Sequence, residues 1–182
     1  MSHPMLPLLE RTPVIPAVKE PETLDLALAH DGAAVFLLCG DILNIAGLVD
    51  RVHRAGKQAV VHGDLVAGLA VDYLRSCGAD GIISTRPHII RRGRELGMLT
   101  VLRVFAIDSK AVSNLGKETG MGMPDLIEVL PGTIYRVIAR LSRELPVPLI
   151  AGGLLADKAD VTAALSAGAL CVSASDPQLW DL

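Results

Sequence analysis

Short apolar runs recur along the chain, and their starts are 18 to 26 residues apart. Most of the runs are continuous rather than alternating and are rich in valine and isoleucine, which is typical of strands buried on both faces of a parallel sheet. The eight predicted strands are Pro13–Val18, Ala34–Leu38, Gln58–His62, Gly81–Ser84, Leu99–Val104, Asp125–Val129, Val147–Ala151 and Ala169–Ser173.

The segments between these runs have the hydrophobic period of amphipathic helices. Apolar residues three and four positions apart form a stripe along Ile42–Ala55, Ile134–Leu145 and Asp157–Ala167. Glycines such as Gly56 and Gly168 mark the points where a helix passes into the next strand. Because parallel strands need crossover connections, strands and helices are expected to alternate through the chain.

Eight strand patterns with alternating helices predict an α/β fold, a small (β/α)8 barrel of the TIM-barrel type. Only Asp176–Leu182 follows the last predicted strand, so the eighth helix is expected to be truncated. The alternative is an open doubly wound sheet. At 182 residues, with no linker or low-complexity segment, the chain is expected to form one domain, residues 1–182.

Composition narrows the class of protein. Apolar residues make up 51% of the chain and charged residues 20%, which favours a folded core over disorder. The formal net charge of −3 argues against a protein that coats nucleic acid non-specifically. Three cysteines without metal-type spacing indicate a reducing, cytoplasmic location, and neither a metal site nor a cofactor is predicted. No signal peptide or membrane-spanning run is recognised.

Polar residues cluster where the predicted strands end, and barrels of this type carry their functional groups at that face. The glycines after the seventh strand and the serines of the eighth predict a phosphate site, because glycine lets backbone N–H groups approach an anion. The alternative for the glycine pair is a tight turn. The candidate ligand-binding residues are Lys19, Asp64, Arg103, Glu128, Gly152, Gly153, Ser173 and Ser175.

The charged members of this set suit a small polyol phosphate. Lys19 and Arg103 supply cations for the anion, while Asp64 and Glu128 supply acceptors for hydroxyl groups. Two plainer interpretations stay open: Glu128 pairs with Arg103 to neutralise buried charge, and the aspartates at positions 41, 64 and 157 are helix caps. No nucleophile with an obvious base is present, so no enzymatic activity is predicted.

One segment of the chain is locally basic. It contains Arg86, Arg91, Arg92 and Arg94, with no acidic residue before Glu95. A second group of arginines, at positions 136, 140 and 143, lies on one face of a predicted helix. Both groups are candidates for contacts with RNA phosphates, and the alternative is an ordinary solvated face.

Seven phrases together match a known family. They are Val14–Lys19 (VIPAVK), Val60–Leu65 (VVHGDL), Asp80–Arg86 (DGIISTR), Arg103–Ser109 (RVFAIDS), Pro124–Gly132 (PDLIEVLPG), Ile150–Leu154 (IAGGL) and Val172–Ser175 (VSAS). In these phrases, in order and over nearly the whole chain, the sequence resembles the glycerol-3-phosphate-responsive antiterminators, which regulate glycerol uptake operons.

The resemblance implies a phosphate-binding barrel that senses glycerol 3-phosphate and acts on leader mRNA to prevent termination of transcription. Gly152, Gly153, Ser173 and Ser175 match the phosphate region of the family, and the four charged candidates match its polar mouth. Two alternatives stay open: a phosphosugar-type barrel enzyme with Asp64 or Glu128 as general base, and a phosphate-metabolite binding module without RNA contact. The sequence also leaves the oligomeric state open, a homo-oligomer included.

Overall fold

Eight parallel strands form a closed barrel in the order of the sequence, and the last strand pairs with the first. The computed structural model describes residues 3–65, 70–106 and 123–181. The strands are β1 (Val14–Val18), β2 (Ala34–Leu37), β3 (Gln58–His62), β4 (Gly81–Ser84), β5 (Leu99–Phe105), β6 (Leu126–Leu130), β7 (Leu149–Gly152) and β8 (Cys171–Ala174). The barrel prediction is confirmed, and every predicted strand agrees with the observed one to within two residues.

Helices follow the strands around the outside of the barrel. The described helices are α1 (Leu6–Arg11), α2 (Leu24–Ala29), α3 (Ile45–Arg54), α4 (Ala70–Ser76), α5 (Pro87–Glu95), α6 (Tyr135–Glu144) and α7 (Lys158–Ser166). After β8 the described chain contains only a short 3-10 turn, Pro177–Leu179, in the place of a full eighth helix, as predicted. None of the described helices is both long enough and apolar enough to cross a membrane.

Helix α3 begins three residues later than its apolar stripe predicts. The carboxylate of Asp41 accepts hydrogen bonds from the backbone N–H groups of Leu43 and Asn44, at 2.8 and 3.1 Å. These bonds close a turn before α3, so Asp41 plays a local structural role. Asp157 is the N-cap of α7 and accepts from the N–H of Asp160 at 2.8 Å. The cap interpretation is therefore confirmed for Asp157.

Alternate residues of each strand enter two separate apolar layers, because successive side chains of a strand point to opposite faces. One layer lies between the barrel and its helices. The other includes Ile15, Phe36, Val60 and Ile150 from the strands and also Leu9 of α1. These strand residues alternate with the helix-facing ones and therefore point into the barrel, where they form its inner core. Helix α1 closes one end of the barrel.

Candidate functional site

The inward-facing position that follows the inner core is polar on several strands. The residue two positions beyond the last inner-core residue is Lys19 directly after β1, His62 on β3, Arg103 on β5, Glu128 on β6, Gly152 on β7 and Ser173 on β8. All of these positions lie at the carboxyl ends of the strands. The period of two along each strand therefore brings polar side chains from five strands, together with Gly152 of β7, to one mouth of the barrel.

A buried ion pair forms the floor of this mouth. Arg103 and Glu128 are partners in the β5–β6 register, and Nε of Arg103 donates to Oε2 of Glu128 at 2.5 Å. Glu128 is only 1% exposed, and its Oε1 accepts a hydrogen bond from the hydroxyl of Ser173 at 2.6 Å. Both carboxylate oxygens are therefore satisfied. The pairing of Glu128 with Arg103, left open by the sequence, is observed.

Gly152 makes the contact between Glu128 and Ser173 sterically allowed. Those two residues lie on β6 and β8, and Gly152 of β7 is in register with Ser173 between them. A Cβ atom at position 152 would lie 2.7 Å from Glu128 Oε1 and 2.7 Å from Ser173 Oγ. The absence of a side chain therefore opens a path for a hydrogen bond that spans three strands.

A small cavity of about 120 Å³ lies above the ion pair. Six of the eight ligand-binding candidates line it: Lys19, Arg103, Glu128, Gly153, Ser173 and Ser175. Asp64 and Gly152 are not among its lining residues. The cavity is also lined by residues outside the predicted ligand-binding set, namely Ala17, Leu38, Leu130, Leu154, Leu155, Ala174 and Asp176. Clefts for drug-sized ligands measure about 300–1,000 Å³, so this cavity suits a molecule of few heavy atoms.

The loop after β7 has an unusual backbone. Gly153 and Leu154 have positive φ values of 72° and 58°, and a positive φ is uncommon for a residue with a side chain. The carbonyl of Gly153 accepts a hydrogen bond from the N–H of Gly132 at 2.9 Å, which ties the loop to the end of β6. Nothing in the sequence marks Leu154, because its conformation depends on the packing of two loops.

Several backbone N–H groups at the cavity have no acceptor among the described residues. Within residues 3–65, 70–106 and 123–181, the N–H groups of Gly153, Leu154 and Ser175 donate to no backbone or side-chain oxygen. Asp176, which follows Ser175, caps the 3-10 turn through a hydrogen bond from Gln178 N–H at 3.0 Å. An aspartate directly before a proline is a recognisable signature of a turn, so the sequence pattern could have identified Asp176 as a capping residue at this strand end.

Asp64 ties the end of β3 to the end of β4. Its carboxylate accepts from the hydroxyls of Ser84 at 2.9 Å and Thr85 at 3.3 Å, and it lies 3.4 Å from Nε of Arg86. The backbone N–H of Asp64 donates to Nδ1 of His62 at 3.2 Å. Asp64 is thus held by its neighbours at the rim and does not enter the cavity lining.

The surroundings of His62 favour its neutral form. Its burial and the positive charge of Arg103 lower the pKa of His62 below the usual 6.5, against the opposing effects of Asp64 and Glu128. Because Nδ1 accepts from the chain, the proton of the neutral ring resides on Nε2. No group of three or more His, Cys, Asp or Glu side chains is arranged to hold a metal ion in the part of the chain that the structure describes.

Two of the four arginines in the basic segment at α5, Arg86 and Arg92, lie beside acidic groups. Arg92 contacts both carboxylate oxygens of Asp72, at 2.5 and 3.0 Å, and Oε2 of Glu95 at 2.9 Å. Arg94 donates to the carbonyl of Met123, and Arg86 faces Asp64. Among the four predicted RNA contacts, only Arg91 has no such partner among the described residues. The RNA contact of this segment stays a prediction. Residues 107–109 of the RVFAIDS phrase lie outside the described residues.

Comparison with known proteins gives consistent results. Residues 14–180 match the family model described as "Glycerol-3-phosphate responsive antiterminator". The chain is 35% identical to the Escherichia coli (strain K12) protein YgcP, described as uncharacterized, with 98% of this chain and 97% of that protein covered.

Solved structures extend the comparison. A glycerol uptake operon antiterminator regulatory protein from Listeria monocytogenes is 32% identical, with 92% of this chain and 94% of that chain covered and a TM-score of 0.87. A glycerol uptake operon antiterminator-related protein from Thermotoga maritima is 30% identical, with 93% and 98% covered and a TM-score of 0.83. Deoxyribose phosphate aldolase from Aeropyrum pernix, at 13% identity, 96% and 91% coverage and a TM-score of 0.74, shows a likeness of fold alone.

Proposed function

The chain belongs to the glycerol-3-phosphate responsive antiterminator family, and we propose that it binds glycerol 3-phosphate in the barrel mouth and acts on the leader RNA of a glycerol operon. The observation that carries this proposal is the chemistry of the cavity. It combines the cations of Lys19 and Arg103 with N–H groups of Gly153 and Ser175 that have no acceptor among the described residues.

The phosphate is assigned to the loops after β7 and β8. The N–H groups of Gly153, Leu154 and Ser175 provide donors for its oxygens, and the hydroxyl of Ser175 adds another. Lys19 is exposed and compensates the negative charge of the ligand. In barrels of this type a phosphate site is commonly built from these two loops, which agrees with the assignment.

The glycerol end is assigned to the floor of the cavity. Each oxygen of Glu128 accepts one protein hydrogen bond and keeps a further lone pair, so the carboxylate can accept from a ligand hydroxyl. Arg103 and Ser173 hold that carboxylate in a fixed position. Asp64 contributes indirectly by joining the ends of β3 and β4. Because Glu128 is held by two partners, it suits a fixed binding group better than a general base, and we assign no reaction to it.

Ligand binding is tested by the melting temperature of the protein. At a hundred times its dissociation constant, glycerol 3-phosphate adds about 2.7 kcal/mol to the free energy of unfolding. For a domain of this size the melting temperature rises by roughly 5–10 °C. Glycerol without phosphate is expected to change it little, and an equal shift by both compounds would contradict the phosphate assignment.

A matched pair of variants separates a binding effect from backbone strain. Gly153→Val places a branched side chain at a φ of 72° beside the cavity, so the ligand-induced shift is expected to disappear. Gly97→Val introduces the same strain at a φ of 69°, where a Cβ meets nothing within 4 Å. Gly97 does not line the cavity, so this variant is expected to be less stable and to keep the shift.

The RNA step needs a separate measurement. Wild-type protein is titrated into the transcribed 5′ leader of its glycerol operon, with and without glycerol 3-phosphate, and binding is followed by fluorescence anisotropy. A ligand-dependent affinity supports the antiterminator proposal. Ligand binding without any RNA binding indicates a metabolite-binding module, and chemical turnover of the ligand indicates a barrel enzyme.

A further inference from the structure

Three exposed arginines form a ridge along α6. Arg136, Arg140 and Arg143 are spaced by four and three residues, which places them on one side of a helix over about 10 Å. Ile138 and Leu141 lie on the opposite side and are buried in the layer that packs against the barrel. The apolar face therefore fixes the helix, and the arginine ridge points into solvent.

This ridge differs from the basic segment of α5 in how its charges are compensated. Among the described carboxylates, only Glu144 lies within 4.0 Å of a ridge arginine, at 3.9 Å from Arg140. On α5, Arg92 instead holds two acidic partners, Asp72 at 2.5 Å and Glu95 at 2.9 Å. An arginine that already binds carboxylates has to give them up before it binds a phosphate. The ridge of α6 is therefore the better prepared of the two surfaces for a polyanion.

A recess with an aromatic wall lies at the first arginine of the ridge. This recess of about 330 Å³ is shallow and open to solvent, and it is lined by the consecutive residues Thr133, Ile134, Tyr135, Arg136 and Val137. The hydroxyl of Tyr135 donates to Oδ1 of Asp160 at 2.6 Å, which holds the ring in place. An aromatic ring beside an arginine is a common platform for an unstacked base of single-stranded RNA.

The same aspartate is joined to the loop that lines the effector cavity. Oδ2 of Asp160 accepts from the backbone N–H of Ala156 at 2.8 Å, and the two preceding residues, Leu154 and Leu155, line the cavity. One carboxylate on α7 thus contacts both the cavity loop and the aromatic wall of the recess. A ligand that repositions the loop has a short, contiguous route to the outer surface of α6.

We propose that the Arg136–Arg140–Arg143 ridge and the recess at Tyr135 bind single-stranded leader RNA, and that Asp160 transmits the state of the effector cavity to this surface. The inference rests on the proposed function. The arginines contact RNA phosphates, and the recess holds a base. The RNA surface therefore lies on the outside of the barrel, apart from the effector cavity at its mouth.

The surface is tested with two charge-matched double variants. Arg136→Glu with Arg143→Glu is expected to weaken binding of the transcribed leader at least tenfold. It should also flatten the log–log salt dependence by about 1.4, at roughly 0.7 per phosphate contact with a single strand. Arg11→Glu with Arg75→Glu makes the same charge change at exposed arginines of α1 and α4 and is expected to bind like wild type.

Each outcome of this comparison is decisive. An equal loss in both double variants indicates a general electrostatic effect and overturns the inference, and a larger loss in the Arg11/Arg75 variant also overturns it, because the contact then lies on another face. If wild-type protein binds no leader RNA at all, the proposed function itself fails. The ligand-induced melting shift, measured on every variant, verifies that the barrel is folded and its cavity intact.

The link through Asp160 is tested with Tyr135→Phe, which keeps the ring and removes its hydrogen bond to the carboxylate. The change in RNA affinity caused by glycerol 3-phosphate is expected to shrink in this variant. An undiminished effector response in this variant overturns the link. Tyr135→Ala also removes the ring and is expected to weaken RNA binding itself.

Discussion

The substitution Gly152→Ala tests the interaction at the centre of the barrel mouth. The added methyl group would lie 2.7 Å from Glu128 Oε1 and 2.7 Å from Ser173 Oγ, closer than Cβ atoms approach other heavy atoms. Their hydrogen bond of 2.6 Å then has to lengthen or break. Because Glu128 is 1% exposed, water cannot readily replace the lost donor.

The expected loss of stability follows from these contacts. A hydrogen bond to a charged group contributes about 1.5–3 kcal/mol, and forcing a methyl group into a packed interior costs about 1–3 kcal/mol. Movement of the hydroxyl relieves part of the clash, so the two costs do not add fully. We expect the free energy of unfolding to fall by about 3 kcal/mol and the melting temperature by roughly 6–12 °C.

The assay is urea unfolding followed by circular dichroism, with Gly47→Ala as the control. Gly47 is an exposed residue within α3, and a Cβ there meets nothing within 4 Å. Alanine at that position is expected to raise the free energy of unfolding by about 0.5–1 kcal/mol. If Gly152→Ala is as stable as wild type, the glycine is not needed to admit the Glu128–Ser173 contact and this account of the mouth is refuted.

Two further predictions concern pH and helix capping. Because the pKa of His62 is lowered in the folded state, the unfolded chain takes up a proton first as the pH falls below about 6.5, so the free energy of unfolding decreases there. In urea titrations at several pH values, His62→Gln is expected to make this decrease smaller. If the free energy of unfolding depends on pH as strongly as in wild type, His62 is not the group responsible. Asp157→Ala removes the N-cap of α7 and is expected to cost about 1 kcal/mol in the same assay, whereas wild-type stability would show that the cap contributes nothing.

The strands and the barrel follow from local information in the sequence. Continuous apolar runs such as Val60–Val61 are typical of parallel strands covered on both faces, and their regular spacing leaves room for one helix per crossover. The alternation of side chains then places Lys19, Arg103 and Ser173 at one mouth. The phrases of the family resemblance cover these same strand ends, and the family model confirms the resemblance.

Other features depend on contacts between segments distant in the chain. The sequence pattern around Gly152 is compatible with a phosphate-binding loop or a tight turn. Only the register of β6, β7 and β8 shows that this glycine leaves room for the hydrogen bond between Glu128 and Ser173. Arg92 belonged to a basic run, yet Asp72 of another helix pairs with it. A local pattern determines where a strand or helix forms because it reflects burial along one segment. Which charges meet is decided by register and helix packing, so only the tertiary structure separates the ion-paired Arg92 of α5 from the solvent-facing ridge of α6.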